Sequence, residues 1–173
     1  MAGRPRRAGH PRRSALRAAA AAAVAAALGG CGFELRRPPP MPFSRIALQG
    51  FAPRSPLAQR LQRQLAPVAE VVADTARAQV VLVALAEQQE RTIVASTATG
   101  QVRELQLRLR FGFRVQTPSG RELAPAAQLL LTRDISYSET AALAKELEEG
   151  QQYREMQDDI ASQVLRRLSS LRL

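Results

Sequence analysis

The strongest pattern in the chain is a strict alternation over residues 104–116. Leu105, Leu107, Leu109, Phe111, Phe113 and Val115 interleave with Glu104, Gln106, Arg108, Arg110, Gly112, Arg114 and Gln116. A period of two sends successive side chains to opposite sides of a strand, so this segment predicts a strand with one dry and one wet face. Residues 80–96 open with apolar residues on both parities (Val80, Leu82, Ala84 and Val81, Val83, Leu85) and turn polar from Glu87 to Thr92. Thr99-Gly100 can reverse the chain, Pro118-Ser119-Gly120 makes a tight turn, and residues 126–137 read as a returning strand. Residues 80–137 therefore predict an antiparallel meander.

Elsewhere the period changes. Ser44 to Leu48 is a short candidate strand. Ser55-Pro56 has the form of an N-cap followed by proline at the first helical position, and Leu57, Leu61 and Leu65 repeat at i, i+4, i+8 before Pro67, predicting a helix over 56–65. Near the C-terminus, residues 141–147 start a helix under Ser138, and Gly150 predicts an interruption. Tyr153, Met156, Ile160, Val164, Leu168 and Leu171 then recur every three to four residues, which predicts a helix of about twenty residues. Met and Tyr in such a stripe are core residues. The expected fold is α+β, a sheet of about four strands, mostly antiparallel, with two helices packed on one face.

The first thirty residues follow none of these periods. Arg4, Arg6, Arg7, Arg12, Arg13 and Arg17 precede an alanine-rich run from Ala18 to Leu28, and Gly29-Gly30 leads into Cys31, the sole cysteine. A basic segment, a short apolar segment and small residues before a cysteine are the layout of a lipoprotein export signal. The run is about half of the ~20 apolar residues that a membrane-spanning helix needs. Arg12-Arg13 also partly resembles a twin-arginine signal, with an alanine in place of its bulky apolar residue. The expected organisation is a signal peptide over 1–30, a proline-rich tether over 31–43 beginning at a lipidated Cys31, and one α+β domain over 44–173. Acyl chains on Cys31 would contribute about 0.8 kcal/mol per buried methylene, enough for stable anchoring.

That cut changes the charge and the chemistry. The whole chain carries +10, but removing the six signal arginines leaves 19 basic and 15 acidic groups, net +4. A mildly basic domain with few aromatics and an export signal is no candidate for nucleic-acid binding. The one histidine, His10, lies in the signal, so beyond it neither Ser-His nor Cys-His pairs nor imidazole- or thiolate-bound zinc can form. Adjacent carboxylates occur at Glu148-Glu149 and Asp158-Asp159, but neighbours on a helix diverge by about 100° and do not converge on one substrate. There is no glycine-rich phosphate loop. An enzyme is not expected, nor is a cofactor or a metal.

Several segments carry a family resemblance. Cys31-Gly32-Phe33-Glu34-Leu35-Arg36, the strand-helix-meander order, Ala142-Leu143-Ala144-Lys145-Glu146, Tyr153-Arg154-Glu155-Met156-Gln157-Asp158-Asp159-Ile160 and Gln163-Val164-Leu165-Arg166-Arg167-Leu168 resemble, in this order and spacing, the LPS-assembly lipoprotein LptE family. The resemblance implies an outer-membrane lipoprotein on the periplasmic face that plugs the LptD-type β-barrel, helps to assemble it and contacts lipopolysaccharide. It implies that Lys145, the only lysine in the chain, matches the family's lysine for that contact, an ammonium being able to pair with a lipid phosphate. The family's second basic contact falls near Thr97-Ala98-Thr99, which has no base, leaving Arg91 or Arg103 on the flanking strands as substitutes. Arg108, Arg110 and Arg114 line the wet face and suit either phosphate binding or polar contact with a barrel wall. An auxiliary lipoprotein of an inner-membrane transporter and a free-standing periplasmic lipid or glycan binder are the alternatives.

Overall fold

The computed structural model describes residues 40–173. Cys31, the export signal and most of the tether lie outside them. The elements run β1 (Arg45–Gln49), α1 (Pro56–Leu65), β2 (Glu70–Val71), β3 (Val80–Ser96), β4 (Val102–Gln116), β5 (Glu122–Ser136) and α2 (Ala142–Ser169). Five strands form one mixed sheet in the order β2-β1-β3-β4-β5. β1 is parallel to β2 and β3, and β3, β4 and β5 are antiparallel. This is the α+β architecture expected from the alternation, with one strand more than about four. The additional strand, β2, has two residues, too few to show a period.

The meander follows its side-chain pattern. All six alternating apolar residues of β4 are at most 2% exposed, and they pack with Leu57, Leu61 and Leu65 of α1 and with Met156, Ile160, Val164 and Leu168 of α2 in one core. Both helices thus cover the dry face. Two turns of the same design join the strands. Thr97 donates its N–H to Gln101 and Thr117 to Arg121, each at 2.8 Å, while Gly100 and Gly120 take φ of 82° and 89°, a conformation that glycine adopts without steric cost.

Three departures from the expected layout have local causes. In β3 the register slips between Ala84 and Ala86 and again between Ile93 and Ala95. A bulge at Leu85 swaps the parity that faces the helices, from Leu82 and Ala84 before it to Gln89, Arg91 and Ile93 after it. β5 begins at Glu122, earlier than residue 126, because its irregularity falls where Ala124 pairs with Val115 and Ala127 with Phe113. Pro125 occupies that bulge on an edge strand, where a missing N–H costs no ladder bond. α2 runs without a break from Ala142 to Ser169 through Gly150, which corrects the expected interruption. One helical glycine costs about 1 kcal/mol relative to alanine, less than the packing of the stripe that follows it.

Candidate functional site

Among the described residues, little covers the sheet side opposite the helices. At its β1 end a small cluster of Ala47, Val72, Ala78 and Val81 is covered, but along β4 the bare face presents Arg108, Arg110 and Arg114. Residues two apart on one strand lie about 7 Å apart, so the row extends over roughly 20 Å. Among the described residues, no ion pair involves any of the three. Arg108 Nε donates to Gln106 Oε1 at 2.8 Å, and Gln106 Nε2 to Asp134 Oδ1 at 3.0 Å. Two residues further along β5, and on the bare face by alternation with buried Ile135, Ser136 Oγ accepts from Lys145 Nζ at 3.0 Å. Lys145 therefore reaches from α2 to the end of the row. Its other partner is Glu148, one helical turn away at 2.8 Å, so an incoming anion would have to displace that carboxylate.

Arg91 and Arg103 stand apart from this row. Arg91 follows the Leu85 bulge and pairs with Glu149 of α2 at 3.2 Å. It lines a shallow groove with Tyr137, Leu143 and Tyr153. Arg103 lines a smaller hollow with Ser138, Glu139 and Thr140 at the approach to α2. The fold thus places three of the six candidate bases along one face, brings Lys145 from α2 to the end of β5 at Ser136, and leaves the other two near the start of α2.

The adjacent carboxylates diverge, as helical geometry requires. Glu148 turns to Lys145 and Glu149 to Arg91. Asp158 pairs with Arg60 of α1, and Asp159 with Arg133 of β5 at 3.1 Å. Arg133 was not visible as special in the sequence. It sits on the helix side of β5 among apolar neighbours, and its guanidinium donates to Gln152, Glu155 and Asp159 of α2. Its signal was a lone charge on the dry parity of a strand. The Glu155 carboxyl is held below the usual carboxylate range, chiefly by its hydrogen bond from Gln151 and then by Arg133. Among the described residues no group of three metal-ligating side chains converges, and no helix is long and apolar enough to cross a membrane.

Residues 43–168, from just before β1 almost to the end of α2, match the model of the family described as LptE, lipopolysaccharide-assembly. The chain belongs to the LptE family. This LptE-family chain also resembles solved lipoproteins. The solution structure of lipoprotein B from Nitrosomonas europaea is 29% identical with a TM-score of 0.69, the likeness covering 80% of this chain and 91% of that one. Rare lipoprotein B from Shewanella oneidensis is 25% identical with a TM-score of 0.62, over 73% and 95%. A minor lipoprotein from Acinetobacter baumannii, at 23% identity, TM-score 0.63 and coverage of 76% and 96%, shares the fold. No curated protein matches significantly. The chain is thus a member of a lipopolysaccharide-assembly family.

Proposed function

We propose that this LptE-family protein is the outer-membrane lipoprotein subunit of the lipopolysaccharide translocon. In this reading it is anchored through acylated Cys31 on the periplasmic face, occupies the lumen of an LptD-type β-barrel and contacts lipopolysaccharide. The observation that carries the reading is the family match over residues 43–168, which takes in all five strands and α1 and nearly all of α2. Two features of the molecule support it. A sheet with one face filled by helices and the other bare offers a partner a rigid, polar surface that needs no rearrangement. The row Arg108, Arg110, Arg114 and Lys145 supplies cations on that surface, and guanidinium groups bind phosphate oxygens bidentately. Lipopolysaccharide contact falls to this row, with Lys145 exchanging Glu148 for a phosphate; Arg91 and Arg103 make a second basic margin near the start of α2.

The test is affinity purification of the acylated full chain from outer membranes. Co-elution of a β-barrel protein and lipopolysaccharide is the expected result. Recovery with inner-membrane components, or without a barrel, would sink the proposal.

A further inference from the structure

One end of the domain gathers features that the proposed function does not use. β1 runs parallel to β3 with Ile46 beside Val80, and Val81 pairs with Gln116 at the end of β4, which pairs in turn with Glu122 at the start of β5. The chain therefore enters the domain, through Met41 and Phe43, at the same end of the sheet as the β4–β5 turn. The C-terminus of α2 lies there too, with Arg167 Cζ 5.8 Å above the ring of Phe113. Between that helix end and the start of β5 runs a groove of about 540 Å³, floored by Phe113, Val115, Leu123 and Leu171. Among the described residues, Arg167 and Arg172 are the only charged side chains lining it, and no acid does. The volume falls within the ~300–1,000 Å³ usual for a small-ligand cleft.

We infer that this groove seats one acyl chain of an anionic membrane glycerophospholipid, with Arg167 and Arg172 on the headgroup phosphate. An apolar trough rimmed only by guanidinium groups is complementary to an amphiphile with an anionic head and to little else. The reach of the chain agrees with a lipid source. Nine residues follow Cys31 up to and including Pro40 and span at most about 30 Å, so an anchor at Cys31 keeps this end of the domain close to a bilayer. The inference rests on the acylation of Cys31 but not on the barrel partnership. A lipid held here would orient the domain, turning the β4–β5 turn toward the membrane and the β3–β4 hairpin away from it.

The test uses the acylated full chain carrying a fluorophore on Ser119→Cys, exposed in the β4–β5 turn at the same end and outside the groove, Cys31 being blocked by its own lipid. The chain is reconstituted into phosphatidylcholine vesicles with brominated acyl chains, with and without phosphatidylglycerol. Quenching at position 119 is expected to be strong with phosphatidylglycerol and to fall severalfold in R167E/R172E and in R172E alone, Arg172 being exposed and tolerant of change. The same label on Leu143→Cys, near the opposite end, is expected to stay unquenched. Quenching at 119 that ignores phosphatidylglycerol and both variants, equal quenching at 143 and 119, or quenching that requires added lipopolysaccharide would each overturn the inference. Failure of the acylation reading looks different, because the chain would not remain with the vesicles.

Discussion

Tyr153 shows how one side chain ties α2 to the exposed part of the meander. Its hydroxyl donates to the Glu90 carbonyl of β3 at 2.7 Å, and its pKa is raised, first by burial and then by the negative charge of Glu149, with Glu90 adding and Arg91 opposing. A group whose folded pKa lies above its unfolded value supports the fold fully below that unfolded value, here about 10, and loses that support as pH rises from there through the folded pKa. Tyr153→Phe should therefore cost about 1 kcal/mol at neutral pH through the lost hydrogen bond and flatten the alkaline limb of stability, as urea unfolding across pH will report. Arg133 contributes on the acid side. Glu155 has a lowered folded pKa, so its contribution is present above the ordinary carboxylate range and fades as pH falls through it. Arg133→Met removes one cause of that shift and leaves Gln151 and Arg154. Stability should drop modestly, because an exposed ion-pair cluster is screened, and the acid limb should become shallower without vanishing, since the Gln151 hydrogen bond remains. A full-sized acid limb in the variant would count against this account.

At the scale of elements, Gly150 and Gly50 call for opposite substitutions. A Cβ on Gly150 would meet only the flexible Arg154 side chain, at 3.4 Å, within a helix that needs no special backbone. Gly150→Ala should stabilise the protein by about 0.5–1 kcal/mol, visible as a higher Tm. Gly50 has φ of 76°, and its Cβ would fall 2.3 Å from the Ala84 carbonyl oxygen, so Gly50→Ala should destabilise by more than that gain. The two glycines also show how far the sequence could be read. α1 matched its predicted bounds because Ser55 caps it, accepting from Ala58 N–H, and Pro56 opens it: local chemistry fixed both. β4 was legible because its alternation runs unbroken. Gly150 misled because propensity is local, whereas the stripe from Met156 to Leu168 that holds α2 together is tertiary. The bulge at Leu85 was equally hidden, since it changes which residues face the helices without changing composition. The candidate site was legible in part: alternation alone put Arg108, Arg110 and Arg114 in a row, but only the fold could bring Lys145 to the end of that row beside Ser136 and give it Glu148 as a partner.

For the whole molecule, the contrast between the two sheet faces sets what a partner can reach. The dry side of β4 is saturated by the helices, so any ligand or barrel wall must use the bare face, the sheet edges or the molecule's ends. Arg108, Arg110 and Arg114 stand on that face without an ion pair among the described residues, and the two nearest, Arg108 and Arg110, about 7 Å apart, repel by about 0.6 kcal/mol in water at low salt. The isolated domain gains nothing from this repulsion, which makes the row a cost to stability that an anionic ligand would relieve. Replacing all three by glutamine should leave the melting temperature unchanged or slightly higher. It should also lower the lipopolysaccharide recovered with the acylated protein severalfold, and the same loss should appear in the unmutated protein as salt rises and the screening length falls from about 8 Å to about 3 Å. Lys145→Gln should have the smaller effect, because its ammonium is already half committed to Glu148. The two possible uses of the row separate in one measurement: if barrel recovery falls in step with lipopolysaccharide, the arginines face the barrel wall, whereas loss of lipopolysaccharide at constant barrel recovery assigns them to the phosphates.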